Sequence, residues 1–104
     1  MAEAHPVGFQ WVMEAKKRGA TVIHVDPRFT RTAAHATEYV RLRPGTDIPL
    51  IWGILWHVFT NGWEDKDFIA KRVYGMDQIR KEVEKWNPRA VEDVTGVPEA
   101  ARTG

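Results

Sequence analysis

The chain has no cysteine and no serine among its 104 residues. Without cysteine it can build no disulfide framework, no thiolate zinc site, no cysteine-ligated iron–sulfur cluster and no thiol nucleophile. Without serine it has no Gly-x-Ser-x-Gly nucleophile elbow, and no Gly-rich phosphate-cradling loop of the P-loop kind is present. A strong charge of one sign is also missing. Lys and Arg number 15 against 14 Asp and Glu, for a net charge of +1, which argues against holding nucleic acid through many phosphate contacts and leaves neither an acidic tail nor a polybasic segment. Long apolar runs are absent as well: the longest, from Ile48 to Phe59, is about half of what a membrane span requires and carries His57. The opening Met1-Ala2-Glu3-Ala4-His5-Pro6 has neither the basic nor the apolar region of a signal peptide. The chain therefore reads as soluble.

What is present fits one small folding unit. With 43% hydrophobic and 28% charged residues, the composition is that of a globular chain that buries a core. Five Trp are many for this length, and so much indole is expected to be buried.

Periodicity predicts an α/β order. Phe9, Val12, Met13 and Lys16 share a helical face, Pro6 suits a first helical position, and Lys16-Lys17-Arg18-Gly19 reads as a C-terminus, so a helix is expected over about 6–18. The β-branched run at about 20–25, stopped by Asp26-Pro27, has the profile of a buried strand of a parallel sheet. Residues 29–36 read as a loop with one helical turn, and the alternating segment at about 38–42 as a second strand. Arg43-Pro44-Gly45-Thr46-Asp47 breaks the pattern with turn residues. Helices are expected over about 48–60, 65–73, 76–86 and 88–94, the first of them apolar nearly all round and so buried on most sides. Two short strands make too small a parallel sheet to stand alone, and the first helix has no strand before it to complete a crossover.

Four places could carry chemistry. Asp26 ends a strand, where nucleotide-binding folds place the carboxylate that bonds ribose hydroxyls, although the upstream Gly-rich fingerprint is missing and an Asp-Pro pair is commonly just a turn. In place of the fingerprint, the helix beginning after His5 offers free N–H groups and a positive dipole end to a pyrophosphate. Thr46 or Asp47 could simply cap the following helix, or the Asp47 carboxylate could accept the two parallel N–H bonds of a guanine edge. His24 and Asp26 with a distant His35 or His57 imitate a two-His-one-carboxylate iron site, a spacing that chance supplies easily. The pair Trp52 and Trp56 could stack bases, but among Leu50, Ile51, Ile54 and Leu55 it fits packing better.

The run Val25-Asp26-Pro27-Arg28-Phe29-Thr30-Arg31-Thr32-Ala33, followed by Arg43-Pro44-Gly45-Thr46-Asp47 and preceded by Ala2-Glu3-Ala4-His5-Pro6, resembles the molybdopterin oxidoreductases and, among them, the catalytic alpha subunit of formate dehydrogenases. The resemblance implies a Rossmann-like segment, residues 1–104 forming part of one molybdopterin guanine dinucleotide-binding α/β domain that lacks its first strand. It implies that Glu3 and the helix start after His5 lie near the pyrophosphate, that Asp26, Pro27, Arg28 and Thr30 line the ribose and guanosine end, and that Gly45, Thr46 and Asp47 recognise guanine. The cofactor would carry molybdenum or tungsten, and the residues that ligate the metal or act on formate would lie elsewhere in the parent, so no catalytic or metal-ligating residue is expected here. The partners implied are the rest of the alpha subunit and its electron-transfer subunits, in the periplasm or the cytoplasm, and an isolated fragment with severed sheet edges would self-associate. A reading of another class stays open beside this: a free-standing helical interaction module that docks a protein partner through its Trp-rich helix.

Overall fold

A computed structural model of the chain describes residues 1–99. Its contacts gather into two compact units, one over Met1–Leu42 and the other from Arg43 onward.

The first unit begins with a turn in which the His5 N–H donates to the Met1 carbonyl at 2.8 Å. Helix α1 (Pro6–Lys17) follows, with Pro6 in its first turn and Lys16 and Lys17 in its last. It ends in a Schellman motif: Gly19, at φ +96°, donates to the Lys16 carbonyl, and Ala20 donates to that of Ala15, both at 3.0 Å. Strand β1 (Ile23–Val25), helix α2 (Arg31–His35) and strand β2 (Glu38–Val40) complete the unit. The strands pair in parallel, with Ile23 opposite Glu38, His24 opposite Tyr39 and Val25 opposite Val40. Phe9, Thr32, Ala33 and Leu42 are buried. Phe9 lies against the His35 ring, and the Lys16 ammonium donates to the His35 carbonyl at 2.7 Å, which ties α1 to the end of α2.

The expectation of a buried β1 needs correction. Ile23 and Val25 remain 58% and 45% exposed. β2 pairs with only one edge of β1, and the side chains that alternate away from His24 are left about half open.

The second unit is helical: α3 (Asp47–Thr60), α4 (Lys66–Arg72), α5 (Met76–Glu84) and α6 (Pro88–Thr95). Local chemistry sets the boundaries. Asp65 accepts from the Phe68 N–H and Asn87 from the Ala90 N–H, both at 2.9 Å, capping α4 and α6, and Gly96 at φ +76° ends α6. α3 packs on α5 and α6, and the core comprises Leu50, Val83, Val91, Thr95 and Val97. The Thr95 hydroxyl is satisfied there, donating to the Val91 carbonyl at 2.6 Å and accepting from the Val97 N–H at 3.1 Å.

Here too an expectation is corrected. α3 does not lie buried on most sides: only Leu50 and Gly53 are fully buried, while Ile48, Ile51 and Ile54 are 65%, 55% and 49% exposed. The neighbouring helices bury one face of an apolar cylinder and leave the side bearing Ile48, Ile51 and Ile54 open. Nor is every indole buried, since Trp11 and Trp63 are exposed and Trp52, Trp56 and Trp86 only partly covered.

Candidate functional site

In the first unit, the candidate residues gather where β1 runs out. The Asp26 N–H still donates to the Val40 carbonyl at 3.1 Å, extending the parallel ladder by one residue, and Pro27 then turns the chain away. The Asp26 carboxylate receives the Arg28 N–H on Oδ1 at 2.8 Å. Its Oδ2 lies 3.7 Å from His24 Nε2, beyond hydrogen-bond reach. Thr30 caps α2, its Oγ1 accepting from the Ala33 N–H at 3.3 Å, and the same oxygen lies 3.2 Å from His24 Nε2. Asp26, Pro27, Arg28 and Thr30 thus form one short cradle at the carboxyl end of a parallel strand.

Tyr39 joins this cradle without a signal in the sequence. The Tyr39 hydroxyl donates to the Asp26 carbonyl at 2.9 Å, and its ring stacks on His24 and takes Phe29 edge-on at 5.2 Å. The parallel register brings Tyr39 beside His24, and spacing along the chain does not reveal that pairing.

The N-terminal turn lies against α2. The Thr32 hydroxyl oxygen accepts from the Ala2 N–H at 2.9 Å and from the Met1 amino group at 3.2 Å, and Glu3 Oε1 accepts from the Arg31 N–H at 3.2 Å. Glu3 therefore serves the first turn of α2. His5 stands at the start of α1 without a side-chain cap, and the first turn of that helix holds no acidic residue.

In the second unit, Arg43 to Asp47 form the entry to α3. Gly45 adopts φ +78°, which a residue with a side chain reaches only under strain. The Thr46 hydroxyl donates to the Arg43 carbonyl at 2.6 Å, so the capping reading fails for Thr46: it closes the turn instead. Asp47 is the first residue of α3, exposed, and its carboxylate caps nothing. Arg43, read as a turn residue, has a larger part. Its guanidinium donates to the Asp93 and Val94 carbonyls at 2.6 and 3.1 Å, and its N–H to the Thr95 carbonyl at 2.9 Å, which closes the C-terminal end of α6 onto the turn.

The iron-site reading gains nothing. Among the described residues, no three His, Asp or Glu side chains converge to hold a metal. No helix among them is long and apolar enough to cross a membrane.

No family model matches the chain. Individual relatives do. The alpha subunit of formate dehydrogenase 2 (cytochrome c-553) of Nitratidesulfovibrio vulgaris is 45% identical over 69 residues, which is 66% of this chain and 7% of the relative. Formate dehydrogenase H of Escherichia coli is 38% identical over 96 residues, 92% of this chain and 13% of the relative. Among solved structures, acetylene hydratase from Pelobacter acetylenicus superposes with a TM-score of 0.82 at 28% identity, over 91% of this chain and 13% of that one. The chain spans only a small part of the length of each protein it matches. Relatives at 54% and 33% identity are the formate dehydrogenase major subunit of Haemophilus influenzae and the F420-dependent formate dehydrogenase subunit alpha of Methanocaldococcus jannaschii, and the chain is homologous to a segment of the formate dehydrogenase alpha subunits.

Proposed function

We propose that this chain binds parts of a molybdopterin guanine dinucleotide within a longer formate dehydrogenase alpha subunit and performs no chemistry on formate itself. When bound, that group supplies the molybdenum or tungsten centre at which formate is oxidised to carbon dioxide with release of two electrons. The chain's own residues bind and orient. In the first unit, the start of α1 presents backbone N–H groups to a pyrophosphate, beside Glu3 and His5, and Asp26, Pro27, Arg28 and Thr30 take the ribose. In the second, Gly45 and Thr46 shape the turn that presents Asp47 to the N1 and N2 edge of guanine, where a carboxylate accepts two parallel N–H bonds.

The residues present suit such a ligand. The first turn of α1 carries neither an acidic side chain nor a side-chain cap that would compete with an anion. The observation that carries the reading is Asp26: it stands at the carboxyl end of a parallel strand with one carboxylate oxygen held by the chain and the other open. The remainder of the alpha subunit and its electron-transfer subunits are the partners this implies.

Calorimetric titration with GMP tests the reading. Binding by the wild-type chain should weaken about 10- to 100-fold on Asp47→Ala, as expected for a hydrogen bond to a charged group. Equal affinity in the two proteins would refute it.

A second reading, a helical interaction module, draws on the exposed row Ile48, Ile51 and Ile54 of α3. Under it, Trp52→Ala or Trp56→Ala would abolish capture of a protein partner and Asp47→Ala would not.

A further inference from the structure

His24 has no part in the ligand contacts proposed above, yet it sits at the centre of the cradle. Its side chain is only 16% exposed, and Tyr39 stacks on it at 6.0 Å between centroids and 21° between planes. Nε2 faces two groups, Thr30 Oγ1 at 3.2 Å and Asp26 Oδ2 at 3.7 Å.

The donors and acceptors can be counted. A threonine hydroxyl has one proton and two lone pairs, and a neutral imidazole has one donor and one acceptor nitrogen. One Thr30 lone pair receives the Ala33 N–H. If Nε2 accepts the Thr30 proton, the other lone pair stays open. Asp26 keeps Oδ2 open too, because its Oδ1 is taken by the Arg28 N–H and Nε2 is too far to donate to it. Two open acceptors then flank the imidazole. Two neighbouring acceptors match a vicinal diol, which brings two donors, and reject a phosphate, which brings none.

Resting on the nucleotide reading of this site, we propose that His24 is a positioning residue that sets the site's selectivity for a ribose diol: its unprotonated Nε2 takes the Thr30 hydroxyl proton and leaves Thr30 and Asp26 as paired acceptors. Tyr39 fixes the arrangement from behind by stacking on His24 and by donating to the Asp26 carbonyl.

The test compares GMP with 2′,3′-dideoxy-GMP by calorimetry on the wild-type chain, His24→Gln and His24→Asn, with thermal unfolding of each. A glutamine amide reaches the position of Nε2, and an asparagine amide stops short at that of Nδ1. Wild type should prefer GMP by about 100-fold, the worth of the two hydrogen bonds that the dideoxy ligand cannot make. His24→Gln should keep most of that preference, and His24→Asn should lose about tenfold of it, the Thr30 share, by weakening GMP alone. The imidazole ¹⁵N spectrum should show His24 Nε2 without a proton. An undiminished preference in His24→Asn, or an equal weakening of both ligands, would overturn the assignment while leaving the nucleotide reading intact. Failure of the wild-type chain to bind either ligand would remove both.

Discussion

Glu64 and Arg80 form the most enclosed ion pair of the second unit. Glu64 Oε1 lies 3.1 Å from Arg80 Nη2 with only 6% of the carboxylate side chain exposed, and the guanidinium also stands 4.7 Å from the centre of the Phe59 ring. The backbone N–H of Glu64 itself, then the Arg80 guanidinium, hold this carboxyl below its ordinary value of 4.5. A carboxyl depressed in the folded state contributes stability that is complete above the unfolded value and is lost as pH falls through the folded one. The melting midpoint of the wild-type chain should therefore drop more steeply below pH 4.5 than that of Glu64→Gln. Parallel curves in circular-dichroism melts would contradict the pairing. Arg43 offers a second residue-scale test: Arg43→Ala removes two hydrogen bonds to the last carbonyls of α6 and should cost about 1–2 kcal/mol in denaturant unfolding, whereas a loss near zero would mean that water replaces the guanidinium.

Among the elements, α3 depends on Gly53. A Cβ there would stand 2.8 Å from Val91 Cγ2 and 3.0 Å from Cγ1, so the glycine permits the close approach of α3 and α6. Gly53→Ala should destabilise the chain by about 1–3 kcal/mol through overpacking, against a small gain in helix propensity. Unfolding curves that move to higher denaturant would show that Val91 yields easily. This contact also marks how far the sequence is informative. Helix ends were legible because their signals are local: Pro6 and Gly19 bracket α1, and Asn87 and Gly96 bracket α6. Burial was not legible for α3, because a helix apolar on every side does not reveal which side its neighbours cover. For β1 the β-branched run indicated a strand and could not indicate whether a second strand covers its free edge. At the candidate site, Asp26 and Asp47 were legible from strand-end and helix-start positions, but Tyr39 and His24 meet only through strand register.

At the scale of the whole molecule, two compact units each leave apolar side chains open, Ile23 and Val25 in one and Ile48, Ile51 and Ile54 in the other. The chain covers 7% and 13% of two of its relatives, and a net charge of +1 provides little repulsion between copies. The isolated chain should therefore self-associate, with a light-scattering mass that rises above 11.9 kDa with concentration and falls back on Ile51→Lys. A mass that stays monomeric at every concentration would contradict this. The central claim, that the chain recognises a guanine nucleotide, is tested most directly by calorimetric titration of the wild-type chain with GMP and with AMP. The account predicts that GMP binds at least about tenfold more tightly, because adenine lacks the paired N–H donors that the Asp47 carboxylate would accept. Equal affinity for the two nucleotides, or binding of neither, would contradict it.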